Sequence, residues 1–416
     1  MPDAFIVDAC RTPRGIGKVG RGSLAHLHPS YLGSTVLRAL AERNNLKTAE
    51  VDDIIWGTSS QVGKQGGDLG RMAALNAGYA ERSSGVTLDR FCGSGITTVN
   101  LAAAQVMSGM EDLVIAGGTE MMSYHAQIAD PTQPPMLDSG NLDLRDMHPQ
   151  SQQGVCADAI ATLEGIDREA VDNLALVSQA RAARAIAEGR FNKSLITVKN
   201  PDGTVALDHE EFPRPETTKE GLAGLKTVFS MLRDIPIDEK GTTYGALIQR
   251  KYPEITAFNH IHHAGNSSGV VDGAAALLIA SEAYMQKTGM SPRARIVATA
   301  NMGDCPTLML NAPVAAAEKV LMKAGLTKDD IDVWEINEAF AVVAERFIRK
   351  LDLDREKVNI NGGAMALGHP IGATGSMLIG TALDELERQQ KRYALITMCA
   401  AGGMAPAIVI ERVWAI

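Results

Sequence analysis

Aromatic residues are scarce, with Phe, Tyr and Trp together making 4% of the 416 residues. The core must therefore be built from smaller side chains. At 45% hydrophobic content with 40 glycines, the composition suits close-packed helix and sheet layers joined by tight turns. Positive charge is not in excess. Forty Lys and Arg face 49 Asp and Glu, a net charge of −9, and no basic stripe offsets it, which argues against a nucleic-acid binder. No apolar run is long enough to span a bilayer. The opening Met1 to Val7 lacks a basic stretch followed by a long apolar one, so it reads as a short strand rather than a signal peptide. The final Val413-Trp414-Ala415-Ile416 is not a peroxisomal address. The five cysteines, Cys10, Cys92, Cys156, Cys305 and Cys399, are odd in number and scattered. Without a CxxC pair or zinc spacing, neither a disulfide framework nor a metal site is expected, and a reduced cytoplasmic compartment fits.

Against this background one stretch stands out, Asp89-Arg90-Phe91-Cys92-Gly93-Ser94-Gly95. Behind it Ile96, Val99, Ala103, Val106 and Met107 recur at helical spacing. Cys92 is thus expected at a strand-to-helix turn, near a helix N-terminus whose free N–H groups and dipole favour a thiolate. The same N–H groups suit a negative oxygen on a substrate, and the glycines suit close approach of a ligand to the backbone. A lone cysteine is more often a buried, inert residue, so the rest of the chain decides.

The first 123 residues alternate strand and helix: strands at Ala4 to Ala9, Ile54 to Gly57, Val86 to Leu88 and Asp112 to Gly118, and helices at Tyr31 to Asn44 and, after a glycine-rich loop over Gly63 to Gly70, around Arg71 to Ala77. From 124 to 252 the chain is polar and reads as an insertion. Within it, 130–148 is proline-rich loop, Arg168 to Arg190 an amphipathic helix, and Glu210 to Phe229 a charged loop ending in a short helix. The segment 253–285 completes the first half, and 253–416 carries the second. There Thr327 to Trp334 echoes Leu46 to Trp56. A glycine turn over Gly368 to Gly375, a helix over Ser376 to Gln389 and an apolar strand over Ala394 to Cys399 repeat the earlier order. This points to a duplicated α/β architecture with buried sheets.

Duplication brings equivalent turns from the two halves near a shared axis. The second half offers Asn337-Glu338-Ala339-Phe340-Ala341, the stretch Asn361 to Gly375 with His369, and Cys399-Ala400-Ala401-Gly402-Gly403. Singly each has a plain structural reading: a helix N-cap for Asn337, a core histidine for His369, a strand end for Cys399. The glycine loop lacks the lysine of a phosphate-binding P-loop. Together they supply two thiols, an imidazole and an amide on turns at strand ends.

In this combination the chain resembles the thiolases, the acetyl-CoA acetyltransferases and 3-ketoacyl-CoA thiolases. The motifs are Cys92-Gly-Ser-Gly, Gly265-Asn-Ser-Ser-Gly with Asp272-Gly, Asn337-Glu-Ala-Phe-Ala, Gly-His369-Pro-Ile-Gly-Ala-Thr-Gly, and Cys399 before Gly-Gly. The resemblance implies two similar α/β halves in a five-layered core with an inserted loop domain. It implies thiolytic cleavage of 3-oxoacyl-CoA, or the reverse condensation, through an acyl-Cys92 thioester. His369 would take the Cys92 proton and Cys399 would act as acid and base at the substrate α-carbon. Backbone N–H groups of Cys92 and Ala401 would form one oxyanion site, and His369 with a water held by Asn337 the other. Coenzyme A, a co-substrate and not a permanently bound cofactor, would meet Ser268, Arg214 and Lys219, with Gln153 near the pocket. A homodimer or homotetramer is implied.

Three departures stand out. Gln152-Gln153-Gly154-Val155-Cys156-Ala157-Asp158 replaces the family's His-Met-Gly-x-Thr-Ala-Glu. Ala400-Ala401 precedes Gly402-Gly403 where glycine is usual. His260, His262 and His263 precede the Gly265 motif and are expected to pack near the pocket mouth. These departures suggest a degradative enzyme for an unusual, bulky 3-oxoacyl chain. A condensing enzyme using acyl-carrier protein is disfavoured by Cys399, and a non-catalytic acyl-CoA carrier by the presence of both Cys92 and His369. A cysteine hydrolase, the remaining rival, would need no free CoA.

Overall fold

The structure is a computed structural model and describes residues 2–130 and 135–414. Its strands are β1 (Ala4–Arg11), β2 (Gly15–Ile16), β3 (Asp53–Gly57), β4 (Val86–Leu88), β5 (Leu113–Met121), β6 (Val198–Lys199), β7 (Val205–Leu207), β8 (Val271–Ser281), β9 (Ala294–Gly303), β10 (Val333–Ile336), β11 (Tyr393–Thr397) and β12 (Met404–Arg412). Its helices are α1 (Pro29–Arg43), α2 (Leu69–Asn76), α3 (Ser94–Ser108), α4 (Met122–Ile128), α5 (Leu142–Met147), α6 (Gln153–Glu164), α7 (Arg168–Ala187), α8 (Lys219–Ala223), α9 (Phe229–Arg233), α10 (Tyr244–Lys251), α11 (Glu282–Thr288), α12 (Ala312–Ala324), α13 (Ala341–Leu351), α14 (Ala364–Leu367) and α15 (Ile371–Gln389).

The main sheet runs β10-β11-β12-β9-β1-β8-β5-β3-β4, with β2 beside β8. The duplication is explicit in this order. The sequence β3-β5-β8-β1 is matched by β10-β11-β12-β9, with parallel pairing between β3 and β5 and between β10 and β11. Both halves then turn antiparallel, β5 to β8 and β11 to β12. Within the sheet, the two halves pair through β1 and β9, where Phe5 faces Arg295 and Ile6 faces Ala294.

Side-chain alternation divides the interior into layers. On β8, Ala274, Ala276, Leu278 and Ala280 join the core that holds Val36 and Leu40 of α1. Leu277 and Ile279 point the other way, into a core shared by α3, α15 and the second half's Ile396, Ile408 and Ile410. Leu395, Ala407 and Val409 face outward again, onto α12 and α13. The result is helix, sheet, helix, sheet, helix, with α3 and α15 in the middle. Those two helices touch backbone to backbone. A Cβ on Gly375 would stand 2.2 Å from the Ile96 N, and one on Gly95 2.7 Å from the Ser376 N.

That contact corrects two expectations. The glycines after Cys92 face protein, not ligand: Gly95 receives α15, and a Cβ on Gly93 would stand 2.8 Å from Pro406 Cδ. The Gly368 to Gly375 stretch is a turn only at its start, where Gly368 has φ 95°. Helix α15 begins at Ile371 rather than Ser376, because Gly372 and Gly375 serve close packing rather than chain reversal. Helix α2 likewise starts early, at Leu69, capped by Asp68. Within 130–148, read as loop, α5 forms because Asn141 caps it and Arg145 pairs with the buried Asp138. Part of that expectation, residues 131–134, lies outside the described residues. The sequence reading placed neither α13 nor β12. Between β5 and β8, neighbours in the sheet, the chain makes the long excursion that contains α4 to α10 and the β6-β7 ribbon. No described helix is long and apolar enough to cross a membrane.

Candidate active site

Cys92 sits between the edge strand β4 and the central helix α3. The turn is tight enough to hold Phe91 in the left-handed region, φ 49°, a costly conformation for a residue with a side chain. Local bonds hold it there. Asp89 Oδ1 accepts from the Phe91 N–H at 2.6 Å, and Ser94 Oγ accepts from the Arg90 N–H while donating to the Phe91 carbonyl. Cys92 is 7% exposed.

His369 arrives from the opposite half, just before α15. Thr374, one turn into that helix, donates its hydroxyl proton to the Pro370 carbonyl at 3.0 Å. Its oxygen therefore accepts the Nδ1–H of His369, at 2.6 Å. This network assigns the tautomer and leaves Nε2 as an acceptor facing Asn337 Nδ2 at 3.4 Å. The Oδ1 of Asn337 is buried and has no partner among the described residues. Burial pushes the His369 pKa down to about 4; Arg14 adds to this, while the Glu120 charge opposes it. The imidazole is neutral at pH 7 and able to take a proton at Nε2.

Cys399 lies past the end of β11 in a turn closed by paired bonds between Ala400 and Met404. Gly402 and Gly403 take the positive φ angles, 79° and 77°, whereas Ala401 does not need one. Alanine at 401 is thus unstrained. Neither its N–H nor that of Cys92 makes a backbone hydrogen bond among the described residues. Burial pushes the Cys399 thiol up to about 12. Burial also pushes Cys92 far up, reinforced by Cys399 and Glu120 and only partly opposed by its own N–H. This corrects the expectation of a resting thiolate: the helix N-terminus favours the anion, but desolvation of the buried sulfur outweighs it.

The structure sets His369 Nε2 beside Asn337 Nδ2 and Cys399 close enough to Cys92 to raise its thiol pKa, with all four side chains buried. No hydrogen bond links Cys92 to His369 in this state. Ser268 is nearby by backbone: its N–H donates to the Ala339 carbonyl, and the His369 N–H donates to Gly269. Arg214 is exposed with no ion pair at its guanidinium among the described residues, while Lys219 pairs with Glu169 at 2.8 Å on the surface. Gln153 is exposed at the start of α6; its neighbour Gln152 makes the helix cap. The histidine group is not at a pocket mouth. His262 and His263 are 0% and 1% exposed, each bonded to an aspartate.

Sequence reasoning missed Glu120 and Thr374. Glu120 is fully buried and binds Ser59 N–H, Gln65 Nε2, His125 Nε2 and, across the halves, the Gly372 N–H in the first turn of α15. These partners hold its carboxyl below the usual range against the effect of burial. The signal was present, an acid near the end of a strand that is apolar up to Thr119. Thr374 lay inside a motif already singled out, without a role.

Comparison with known proteins agrees with this geometry. The thiolase N-terminal domain family matches residues 4–233 and the thiolase C-terminal domain family residues 290–412. The chain is 41% identical to a 3-oxoadipyl-CoA/3-oxo-5,6-dehydrosuberyl-CoA thiolase of Escherichia coli K12, covering 99% of this chain and 100% of that one. It is 38% identical to a steroid 3-ketoacyl-CoA thiolase of Mycobacterium tuberculosis, covering 99% and 95%. The fold matches the crystal structure of human mitochondrial 3-ketoacyl-CoA thiolase with TM-score 0.84 and 32% identity, covering 99% of each chain. The chain belongs to the thiolase family. It is an enzyme of the acyltransferase class, acting in thiolytic cleavage of 3-oxoacyl-CoA or the reverse condensation.

Proposed function

We propose that the protein works as a degradative thiolase in which Cys92 carries the acyl group. The Cys92 sulfur attacks the 3-oxo carbonyl as its proton moves to His369 Nε2. The C2–C3 bond then breaks, leaving an acyl-Cys92 thioester and the enolate of acetyl-CoA, which Cys399 protonates. Cys399 next takes the proton of incoming CoA, whose sulfur attacks the thioester and releases the shortened acyl-CoA, while the departing Cys92 thiolate takes back the proton held on His369. Asn337 and His369 face one developing oxyanion, and the Cys92 and Ala401 N–H groups the other. The observation that supports this reading is the fixed tautomer of His369, which turns Nε2 towards Asn337, together with two buried thiols close enough for one to raise the pKa of the other.

Coenzyme A is the co-substrate, with no permanent cofactor. Ser268 would meet the pantetheine and Arg214, whose guanidinium has no ion pair among the described residues, the nucleotide; Lys219, paired with Glu169, and Gln153 would contribute less. The acyl chain is larger than that of acetoacetyl-CoA. Two relatives named for 3-oxoadipyl and steroid thioesters support this. A homo-oligomer is supported by the open edge of β4, where Val86 is 46% exposed beside α2 with its exposed Met72 and Leu75. Five free thiols suit a reducing cytoplasm. Thiolysis rates with a panel of 3-oxoacyl-CoA esters test the substrate. Brisk turnover of acetoacetyl-CoA with poor turnover of every long, cyclic or carboxylated chain would overturn it.

A further inference from the structure

His260, His262 and His263 take no part in the reaction above, yet they lie where α6 and α7 of the excursion meet α13 of the second half. Asp158, on α6 and fully buried, accepts from His260 Nδ1 at 2.6 Å, His262 Nδ1 at 2.7 Å and the backbone N–H groups of Ile261 and His262. His263 and Asn266 both bond Asp172 on α7. The three imidazoles do not converge. No group of three or more His, Cys, Asp or Glu side chains among the described residues is arranged to hold a metal.

His262 differs from its neighbours in how many segments meet on it. Its Nδ1–H is directed to Asp158, so Nε2 is an acceptor, and it receives the Val342 N–H at 3.3 Å. That N–H lies in the first turn of α13, where helix donors have no partner within the helix. The ring meets Phe340 edge-on at 5.8 Å. The His262 carbonyl accepts from the Val228 N–H, just before α9. Phe229 of α9 then meets Phe340 edge-on at 5.6 Å and covers Gly154. One residue thus ties α6, the start of α9 and the start of α13 together, with Phe340 enclosed between them. Phe340 is three residues after Asn337, and Ala339 between them receives the Ser268 N–H.

We propose that His262 is a positioning residue for the catalytic turn: by accepting the Val342 N–H while anchored on Asp158, it fixes Phe340 and so the placement of Asn337 beside His369. The inference rests on the role assigned to Asn337 above. It predicts a separation between stability and rate that a purely structural residue would not produce.

His262→Asn keeps a donor for Asp158 but cannot reach Val342. His262→Gln can accept from Val342 and leaves Asp158 with His260 and two backbone donors. Both lose the ring and should lower the thermal midpoint alike. The Asn variant should lose about tenfold or more in kcat for thiolysis with little change in KM, the size of effect expected when a buried donor goes unpaired. The Gln variant should stay within about threefold of wild type. Asp158→Asn, combined with His262→Asn, should add little to the single change, since the two act as one unit. Hydrogen exchange over residues 337–345 provides a readout independent of turnover: faster in the Asn variant, unchanged in the Gln variant. Equal rates and equal exchange in both variants, or losses that track the thermal midpoint alone, would overturn the proposal. Absence of thiolysis in wild type with any 3-oxoacyl-CoA would instead count against the reaction assigned to the site, while the exchange data would still decide the role of His262.

Discussion

Thr374 accepts the Nδ1–H of His369 at 2.6 Å while its own proton goes to Pro370. A hydroxyl in this position decides which imidazole nitrogen is free. Thr374→Val keeps the shape but leaves a buried N–H without an acceptor, a loss of about 1–3 kcal/mol. The expected result is a fall of roughly ten- to hundredfold in kcat/KM, with Thr374→Ser recovering most of it.

The pH response follows from the same residue. An ordinary histidine titrates near 6.5, whereas His369 lies at about 4 in the folded protein because of burial. The unfolded chain therefore binds a proton that the folded one refuses, and stability falls as pH drops from about 6.5 towards about 4. Urea unfolding at pH 7 and pH 5 should show this loss in wild type and a smaller one in His369→Asn.

The thiols act at the other end of the scale. Burial pushes Cys10 and Cys156, like Cys399, up to about 12. In the unfolded chain they ionise near about 8.5, so stability falls as pH rises beyond that value. Cys10→Ala should reduce the slope. Cys305 is the exception. Burial pushes it up, but the Tyr252 hydroxyl at 3.1 Å and the N–H groups of Leu308 and Thr307 bring it below its ordinary value. With limiting iodoacetamide and no substrate, peptide mapping should find Cys305 labelled before Cys92.

Glu120 links β5 of one half to the first turn of α15 from the other. Glu120→Gln turns an amide N–H towards donors such as Ser59 N–H and Gly372 N–H. Breaking a buried charged network of this kind costs about 3–5 kcal/mol. A lower thermal midpoint together with lower kcat is the expected outcome, measured by calorimetry and thiolysis on one preparation.

The two α/β halves and the strand-to-helix turn at Cys92 were legible because strands alternate and because helix and glycine signals repeat in order. Residues whose role depends on a partner far along the chain were not. Gly95 and Gly375 look like turn glycines until the two helices are seen to cross. The depressed His369 and raised Cys92 depend on how completely the fold excludes water, which no local motif encodes. Gly154 gave no hint of Phe229, 75 positions later.

The measurement that bears most directly on the central claim is intact mass after brief incubation with a panel of 3-oxoacyl-CoA and acyl-CoA esters. Wild type should gain one acyl group, lost again on adding CoA, while Cys92→Ser should gain none that CoA removes. An adduct of equal yield on Cys92→Ser, or none on wild type that still binds the esters, would contradict an acyl-Cys92 intermediate.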